Sequence, residues 1–163
     1  MKPAVRLRLQ GRPLVPGAVS GRAAVSRRGF NTYASFFDSI HEPSAEAICA
    51  DRGNDDLYGV DLAGVVLCVP GTTGSTSGGA VWQRLVTLGN APAAVLFSRS
   101  IDSLAAGGLL VAALWAEGAI VVVDRLGDDL LTKVLQGAEI VVYPDGSVVA
   151  SVATPDGGKP ARN

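Results

Sequence analysis

The sequence predicts a mixed α/β domain with a parallel βαβ core and a C-terminal hairpin, and three observations lead to this fold class. Apolar runs of strand length alternate with helical patterns between residues 64 and 143, as in parallel sheets joined by crossover helices. Strand-like segments precede that region and add antiparallel pieces. Residues 138–143 and 147–153 flank the turn sequence Pro-Asp-Gly, which is a hairpin signal.

The N-terminal part is expected to contribute two strands and an aromatic loop. Residues 5–9 alternate apolar and polar side chains, which predicts an edge strand, and residues 14–17 are predicted to form a turn. Residues 18–26 alternate apolar with small or polar side chains and predict a second strand. Residues 27–42 have no clean period and carry four of the nine aromatic side chains. We expect a loop there with one or two short turns, packed on its own aromatics.

The later elements follow the strand–helix alternation. Residues 65–69 and 92–98 are apolar runs of strand length, and residues 104–117 are long enough for a helix despite two glycines. Residues 119–123 are β-branched and apolar, as in a buried strand. Asp128 is a candidate cap for a short helix that follows it.

Length and composition predict one domain. With 163 residues and a hydrophobic content of 48%, the chain can build a core, which we place within residues 1–153. The Gly/Pro-rich residues 154–163 are predicted to be a disordered tail. No apolar run reaches the roughly 18 residues of a membrane span, no signal peptide is evident, and two cysteines make no disulfide framework. We therefore expect a cytoplasmic protein without a membrane partner.

Charge is unevenly distributed along the chain. Residues 1–37 contain seven basic and no acidic side chains, whereas the remainder contains seven basic and fifteen acidic ones, giving +7 and −8. A basic face for an anionic ligand or an acidic partner subunit is one interpretation, and a solvated face is the other. Nucleic acid is not an expected partner, because the basic residues are not interleaved with stacking aromatics.

The rest of the chain is organised around residues 62–90, whose sequence is LAGVVLCVPGTTGSTSGGAVWQRLVTLGN. An apolar strand ends in a glycine-rich turn, hydroxyl residues follow, and a helix then presents Val81, Leu85 and Leu88 at helical spacing. Gly89 is a helix stop. The first N–H groups of the helix have no partner within it, so this end attracts anions.

Three standard motifs are absent from the loop. A P-loop needs a lysine, and none lies between Lys2 and Lys133. The glycine spacing is too wide for a dinucleotide site. Thr73 and Ser77 stand where a nucleophile elbow around Ser75 needs glycine. A self-sufficient hydrolase is therefore disfavoured.

What the loop offers is one hydroxyl, that of Ser75, among backbone N–H groups. A serine acts as a base only as an alkoxide, which needs nearby donors, a helix N-terminus and exclusion of water. The alternative is that Ser75, Thr76 and Ser77 are ordinary N-cap residues. The lone histidine, His41, is expected to be structural, and one histidine with two cysteines builds no metal site.

Residues 70–78, P-G-T-T-G-S-T-S-G, resemble the motif P-x-G-x-G-S-x-x-G of the small subunit, or swivel domain, of the aconitase X family, with Thr72 at the first glycine of the motif. In that family the motif ends a strand and precedes a helix. The resemblance spans residues 14–143, with further matches at residues 14–26, 57–64, 90–95 and 118–126.

The resemblance implies a swivelling β/β/α fold and a hydro-lyase that dehydrates a small hydroxy acid. It implies a large aconitase X-type subunit as partner in a heterodimer, with an iron–sulfur cluster or iron on that partner and no cofactor on this chain. It also implies that Ser75 is the general base. We expect its neighbours to bind the substrate: Gly74, Thr76, Ser77 and Gly78.

Departures from the family pattern bear on the substrate. Thr72 and Thr73 lie where a basic residue is common, which favours a substrate like cis-3-hydroxy-L-proline over a phosphorylated one. Residues 33–38 and 55–56 also depart from the family's F-W-G-G-V-D and His-Pro. A phosphomevalonate dehydratase small subunit is the other enzyme interpretation. A non-catalytic anion-binding or assembly module is the alternative outside catalysis.

Overall fold

The computed structural model describes residues 5–42, 44–74, 76–115 and 118–152. In chain order, the strands of this part are β1 Val5–Gln10, β2 Arg12–Val15, β3 Val19–Val25, β4 Phe30–Asn31, β5 Val66–Val69, β6 Thr72–Thr73, β7 Ala94–Phe97, β8 Val121–Asp124, β9 Glu139–Val142 and β10 Ser147–Val152. The helices are α1 Thr32–Ser35, α2 Phe37–His41, α3 Gly78–Leu88, α4 Ser103–Trp115 and α5 Asp129–Lys133.

Eight of these strands form one mixed sheet in the order β1-β10-β9-β3-β5-β7-β8-β2, and β4 pairs with β6 in a separate ladder. The strands β3, β5, β7 and β8 are parallel neighbours, with α3 and α4 in the connections, which confirms the predicted βαβ core. The predicted hairpin is formed by β9 and β10. The predicted edge strand is β1, which pairs antiparallel with β10.

Two expectations about strand order were wrong. Leu14 and Val15, expected in a turn, belong to β2, which pairs antiparallel with β8. The strand β9, expected to extend the parallel series, pairs antiparallel with β3. The strand β2 occupies the edge beside β8, and β9 lies on the other side of the four parallel strands.

The sheet is curled so that its two edges meet. The strands β1 and β2 stand at opposite ends of the strand order, yet only Gly11 separates them in sequence. Since consecutive Cα atoms are about 3.8 Å apart, the two edges lie side by side at this residue. The Gly11 N–H donates to the Gly146 carbonyl oxygen at 3.0 Å. Arg12 on β2 donates twice to the Asp124 carboxylate on β8, at 3.0 and 2.7 Å.

Apolar side chains fill both faces of the sheet. On β5, Leu67 and Val69 face a core that includes Trp82 of α3. Val66 and Cys68 face a second core, built from strands all around the curl. Strands buried on both faces are apolar without interruption, which is why the sequence predicted them correctly.

The aromatic segment, residues 27–42, folds into two short helices, α1 and α2, that pack on their own aromatics as predicted. Phe30 and Phe36 are fully buried, with ring centroids 6.2 and 5.7 Å from that of Trp82. The His41 Nδ1–H donates to the Phe37 carbonyl oxygen at 2.7 Å, and the two rings are 4.4 Å apart. These contacts hold the His41 ring within the aromatic segment, and its expected structural role stays a prediction.

Later acidic residues partly neutralise the basic N-terminal segment. Three of its arginines form ion pairs within the chain: Arg12–Asp124, Arg22–Glu139 and Arg28–Asp55. None of the described helices combines the length and the apolar composition that crossing a membrane requires. The predicted tail at residues 154–163 lies outside the described residues, and the assignment of residues 1–153 to one domain stays a prediction.

Candidate functional site

The candidate site lies where β5 ends and α3 begins. After β5 the chain turns into β6, which pairs in parallel with β4. The Phe30 N–H also donates to the Gly71 carbonyl oxygen at 2.9 Å. These bonds fix the turn against the aromatic segment, and the chain then passes Gly74 and enters α3 at Gly78.

Gly74 is required by the shape of this turn. Its φ of +99° lies in a region that residues with a side chain rarely adopt. A Cβ at this position would also lie 2.8 Å from Asn31 Nδ2. Asn31 is itself held in place, because its Oδ1 accepts a hydrogen bond from the Ala34 N–H at 3.1 Å and so caps α1.

The predicted site residues surround the start of α3. Gly74 and Gly78 line a cleft there, and Thr76 and Ser77 are exposed beside it, with Ser77 as the N-cap residue. Ser75, the predicted general base, lies outside the described residues, between Gly74 and Thr76. The far end of α3 also matches the sequence, since Gly89 terminates it in the left-handed conformation with φ of 75°.

The cleft at the start of α3, called the loop cleft below, has a volume of about 150 Å³. Trp82 lines it and is fully buried, and its Nε1–H has no acceptor in the part of the chain that the structure describes. A buried donor without a partner costs about 1–3 kcal/mol. The lining residues are Thr32, Thr72, Thr73, Gly74, Gly78, Gly79, Trp82, Asp102, Leu104 and Ala105.

Asp102 connects the loop to α4, and sequence reasoning missed it. Its Oδ1 accepts hydrogen bonds from the N–H groups of Leu104 at 3.0 Å and Ala105 at 2.9 Å, and its Oδ2 accepts one from the Thr72 hydroxyl. Burial acts to raise the pKa of Asp102, but the hydrogen bonds outweigh it and lower the pKa below its ordinary value. Asp102 is therefore ionised at neutral pH.

A larger cleft of about 430 Å³, called the arginine cleft below, adjoins the loop cleft and shares Thr72, Thr73 and Asp102 with it. Arg27 and Arg99 line it, and neither was predicted as a site residue. A sequence signal existed, since each arginine closely follows an apolar strand. This signal indicates a shared site only when the sheet order is known, because the order shows that the two strands flank β5.

Among the described residues, no group of three or more His, Cys, Asp or Glu side chains is placed to hold a metal ion. Cys49 and Cys68 are buried free thiols. Burial raises the pKa of both thiols, which disfavours the thiolate form that binds metals. The described residues therefore do not fit iron or an iron–sulfur cluster.

The fold and the loop define a class of protein. Residues 8–151 match the aconitase X swivel domain family, so the chain belongs to that family. The holo-form of aconitase X from Thermococcus kodakaraensis has a TM-score of 0.72 to this chain at 26% identity, over 91% of this chain and 99% of that one. This likeness confirms the predicted fold class, a swivelling β/β/α domain.

Two relatives are named for dehydratase activity. The phosphomevalonate dehydratase small subunit of Methanothrix thermoacetophila is 40% identical over 139 residues, which is 81% of this chain and 91% of that protein. The cis-3-hydroxy-L-proline dehydratase of Pseudomonas aeruginosa is 36% identical over 104 residues, which is 64% of this chain and 17% of that protein. The matched region is thus nearly all of a separate subunit in one relative and a small part of a longer chain in the other.

Proposed function

We propose that this chain is the small subunit of an aconitase X-type dehydratase that removes water from a small hydroxy acid in the cytoplasm. The observation that carries the proposal is the loop at residues 70–78, which resembles the family motif and joins the central strand to the start of α3. Family membership over residues 8–151 and the dehydratase names of two relatives support it.

We assign to Ser75 the role of general base. Dehydration of a hydroxy acid starts with removal of a proton from the carbon next to the carboxylate, and Ser75 would accept that proton. A serine needs stabilisation as an alkoxide, which the N–H groups and partial positive charge at the start of α3 supply. The substrate carboxylate is proposed to bind next to the base, with Gly74, Thr76, Ser77 and Gly78 as the contact residues.

The departing hydroxyl group needs assistance that the described residues do not offer, because they contain no metal-binding cluster. We place the iron or iron–sulfur cluster on the large subunit, where it supplies Lewis-acid chemistry when bound. This chain contributes the base, the carboxylate site and the walls of the clefts.

The helix α4 offers a surface for the large subunit. It contains no charged residue, although one face is exposed. Leu114 and Trp115 are 75% and 74% exposed, and Leu104 and Leu110 are exposed on the same helix. A helix that is apolar on all sides is normally buried, so a partner is expected to cover it. Leu104, in the first turn of α4, also lines the loop cleft, so a partner that covers this end of the helix would border the cleft.

Two substrates of relatives are candidates for this chain. The absence of a basic residue at Thr72 and Thr73 favours a substrate like cis-3-hydroxy-L-proline, as the sequence indicated. Arg27 and Arg99 in the adjoining cleft favour a phosphorylated hydroxy acid such as phosphomevalonate. The relative from Methanothrix thermoacetophila, 91% of which is covered by the match, is named a phosphomevalonate dehydratase small subunit, and this name also favours a phosphorylated substrate.

Co-expression with the large subunit tests the proposal. The isolated chain is expected to be inactive and the complex to dehydrate one of the two hydroxy acids. Leu114→Glu is expected to weaken capture by the large subunit at least tenfold without lowering the Tm of the chain, because Leu114 is exposed. Thr87→Glu, on the exposed side of α3, is the matched control. An isolated chain that binds the hydroxy acids and has no large-subunit partner would favour the non-catalytic module instead.

A further inference from the structure

We propose that the arginine cleft binds a second anionic group of the substrate, a phosphate ester, through the guanidinium groups of Arg27 and Arg99. This inference rests on the proposed function, since it concerns the substrate of the same site. In this proposal, the end of the substrate that is far from the reacting carbon binds in the arginine cleft, in contact with Arg27 and Arg99.

The sheet order places the two arginines on either side of the loop. The strands β3 and β7 are the parallel neighbours of β5, so the carboxyl ends of all three lie at one edge of the sheet. Arg27 comes two residues after the end of β3, and Arg99 comes two residues after the end of β7. In α/β sheets, ligands bind in the crevice at this edge.

Neither guanidinium is neutralised by an acidic side chain within 4.0 Å in the described part of the chain, in contrast to the paired arginines of the N-terminal segment. The backbone N–H of Arg27 donates to Asp56 Oδ2 at 2.8 Å, which positions the residue and leaves its guanidinium out of the contact. Guanidinium groups match the geometry of phosphate oxygens and bind them in pairs of hydrogen bonds.

One carboxylate, Asp102, lines the arginine cleft and opposes anion binding. Both of its oxygens already accept hydrogen bonds, from the Thr72 hydroxyl and from the first turn of α4, and these offset part of its charge. The Nε–H of Arg125 donates to the hydroxyl of Ser100, a lining residue, at 3.0 Å, and its charge also acts on the neighbouring Asp124 carboxylate. Among the residues that line the cleft, the two arginines outnumber the one carboxylate, and Asp56 lies outside the lining, where it accepts the Arg27 N–H.

The two clefts suit a substrate with an anion at each end. They share Thr72, Thr73 and Asp102, so one molecule can extend from the start of α3 into the arginine cleft. If the substrate carboxylate binds at the start of α3, a phosphate ester at the other end of the substrate would lie near Arg27 and Arg99. A cyclic amino acid carries one carboxylate and a cationic nitrogen instead, which two unpaired arginines would repel. The cleft thus selects for a phosphorylated hydroxy acid.

Titration of the full chain with inorganic phosphate tests the inference by isothermal calorimetry. Arg27→Gln together with Arg99→Gln is expected to weaken phosphate binding at least tenfold. Arg6→Gln together with Arg8→Gln removes the same charge from the exposed edge strand β1 and is expected to change the affinity less than twofold. Arg27 and Arg99 are exposed, so the first pair of variants is expected to keep the circular dichroism spectrum and Tm of the wild type.

Equal loss of phosphate affinity in the two double variants would overturn the inference, because it would show that net charge alone attracts the anion. Failure of the wild-type chain to bind phosphate more tightly than acetate would also overturn it. Ser75→Ala is expected to leave phosphate affinity unchanged. A complex that keeps full dehydration with Ser75→Ala would therefore contradict the proposed base without affecting the phosphate result, so the two hypotheses can fail separately.

Discussion

Gly74 controls the shape of the loop at the residue scale. Its positive φ and its closeness to Asn31 explain why the turn needs glycine at this position, although the loop lacks the lysine of a P-loop. The backbone turns sharply there between β6 and the N-cap residue Ser77, and a bulkier residue would push against the cap of α1.

Gly74→Ala is expected to destabilise the chain by about 1–2 kcal/mol, because an L-residue is strained at this φ and its Cβ meets Asn31. Gly71→Ala, three residues earlier in the same turn, is the control, since a Cβ there has no neighbour within 4 Å. Urea unfolding of both variants measures the difference in the free energy of unfolding. Equal stability of the two variants would show that the loop does not need glycine at position 74.

Contact between α3 and α4 is the central feature at the element scale. The helices approach closely at Gly79 and Gly108, where a Cβ on Gly108 would lie 2.4 Å from the Gly79 carbonyl oxygen. This contact brings the first turn of α4, with its cap Asp102, beside the first turn of α3. The loop cleft therefore exists because two helices start side by side.

Gly108→Ala is expected to destabilise the chain by about 1–3 kcal/mol, because the added methyl group forces the helices apart. Gly107→Ala is expected to stabilise it by up to about 1 kcal/mol, since a Cβ there meets nothing within 4 Å and alanine favours a helix. Thermal unfolding of the two variants should give shifts of Tm in opposite directions. Shifts of the same sign would contradict the close approach of the two helices.

Closure of the curled sheet is the main feature at the scale of the whole molecule. The ion pair between Arg12 on β2 and the fully buried Asp124 on β8 joins the edge strand to the parallel core. Asp124 Oδ2 also accepts a hydrogen bond from the Ile101 N–H at 2.9 Å. Burial acts to raise the pKa of Asp124, but the hydrogen bonds from Arg12 and Ile101 outweigh it and lower the pKa below its ordinary value.

Asp124→Asn is expected to lower the free energy of unfolding by about 1.5–3 kcal/mol at pH 7, as the hydrogen bonds lose their charged acceptor. The folded pKa lies below the unfolded value of about 3.9, so the carboxylate stabilises the fold fully above that pH. The contribution is lost as the pH falls through the folded pKa. Chemical unfolding at several pH values should show the variant and the wild type converging below pH 4. A constant difference would contradict an ionised Asp124 in the closed sheet.

Local patterns in the sequence predicted the elements that depend on local chemistry. The central strand is apolar on both faces, α3 has helical spacing and a glycine stop, and both were predicted near their observed bounds. Gly74, Thr76, Ser77 and Gly78 were expected to bind the substrate as neighbours of Ser75, and this expectation stays a prediction. Residue Ser75 was assigned from the family resemblance and stays a prediction.

Features that depend on distant pairing were not predicted. Leu14 and Val15 form a strand only because β8, more than a hundred residues later, has a free edge. Arg27, Arg99 and Asp102 belong to one pair of clefts only after the sheet order is known. The position of each arginine just after a strand is visible in the sequence, but it indicates a shared site only when the neighbouring strands are known.

The role of Ser75 in a two-chain active site is tested most directly by the turnover of the reconstituted complex with Ser75→Ala. The variant is expected to bind the large subunit normally and to reduce kcat by about 10²–10⁴-fold, the usual contribution of a general base. Thr87→Ala removes a hydroxyl from the far end of the same helix and is expected to retain wild-type kcat. Wild-type kcat in the Ser75→Ala complex would contradict the assignment of this chain as the source of the base.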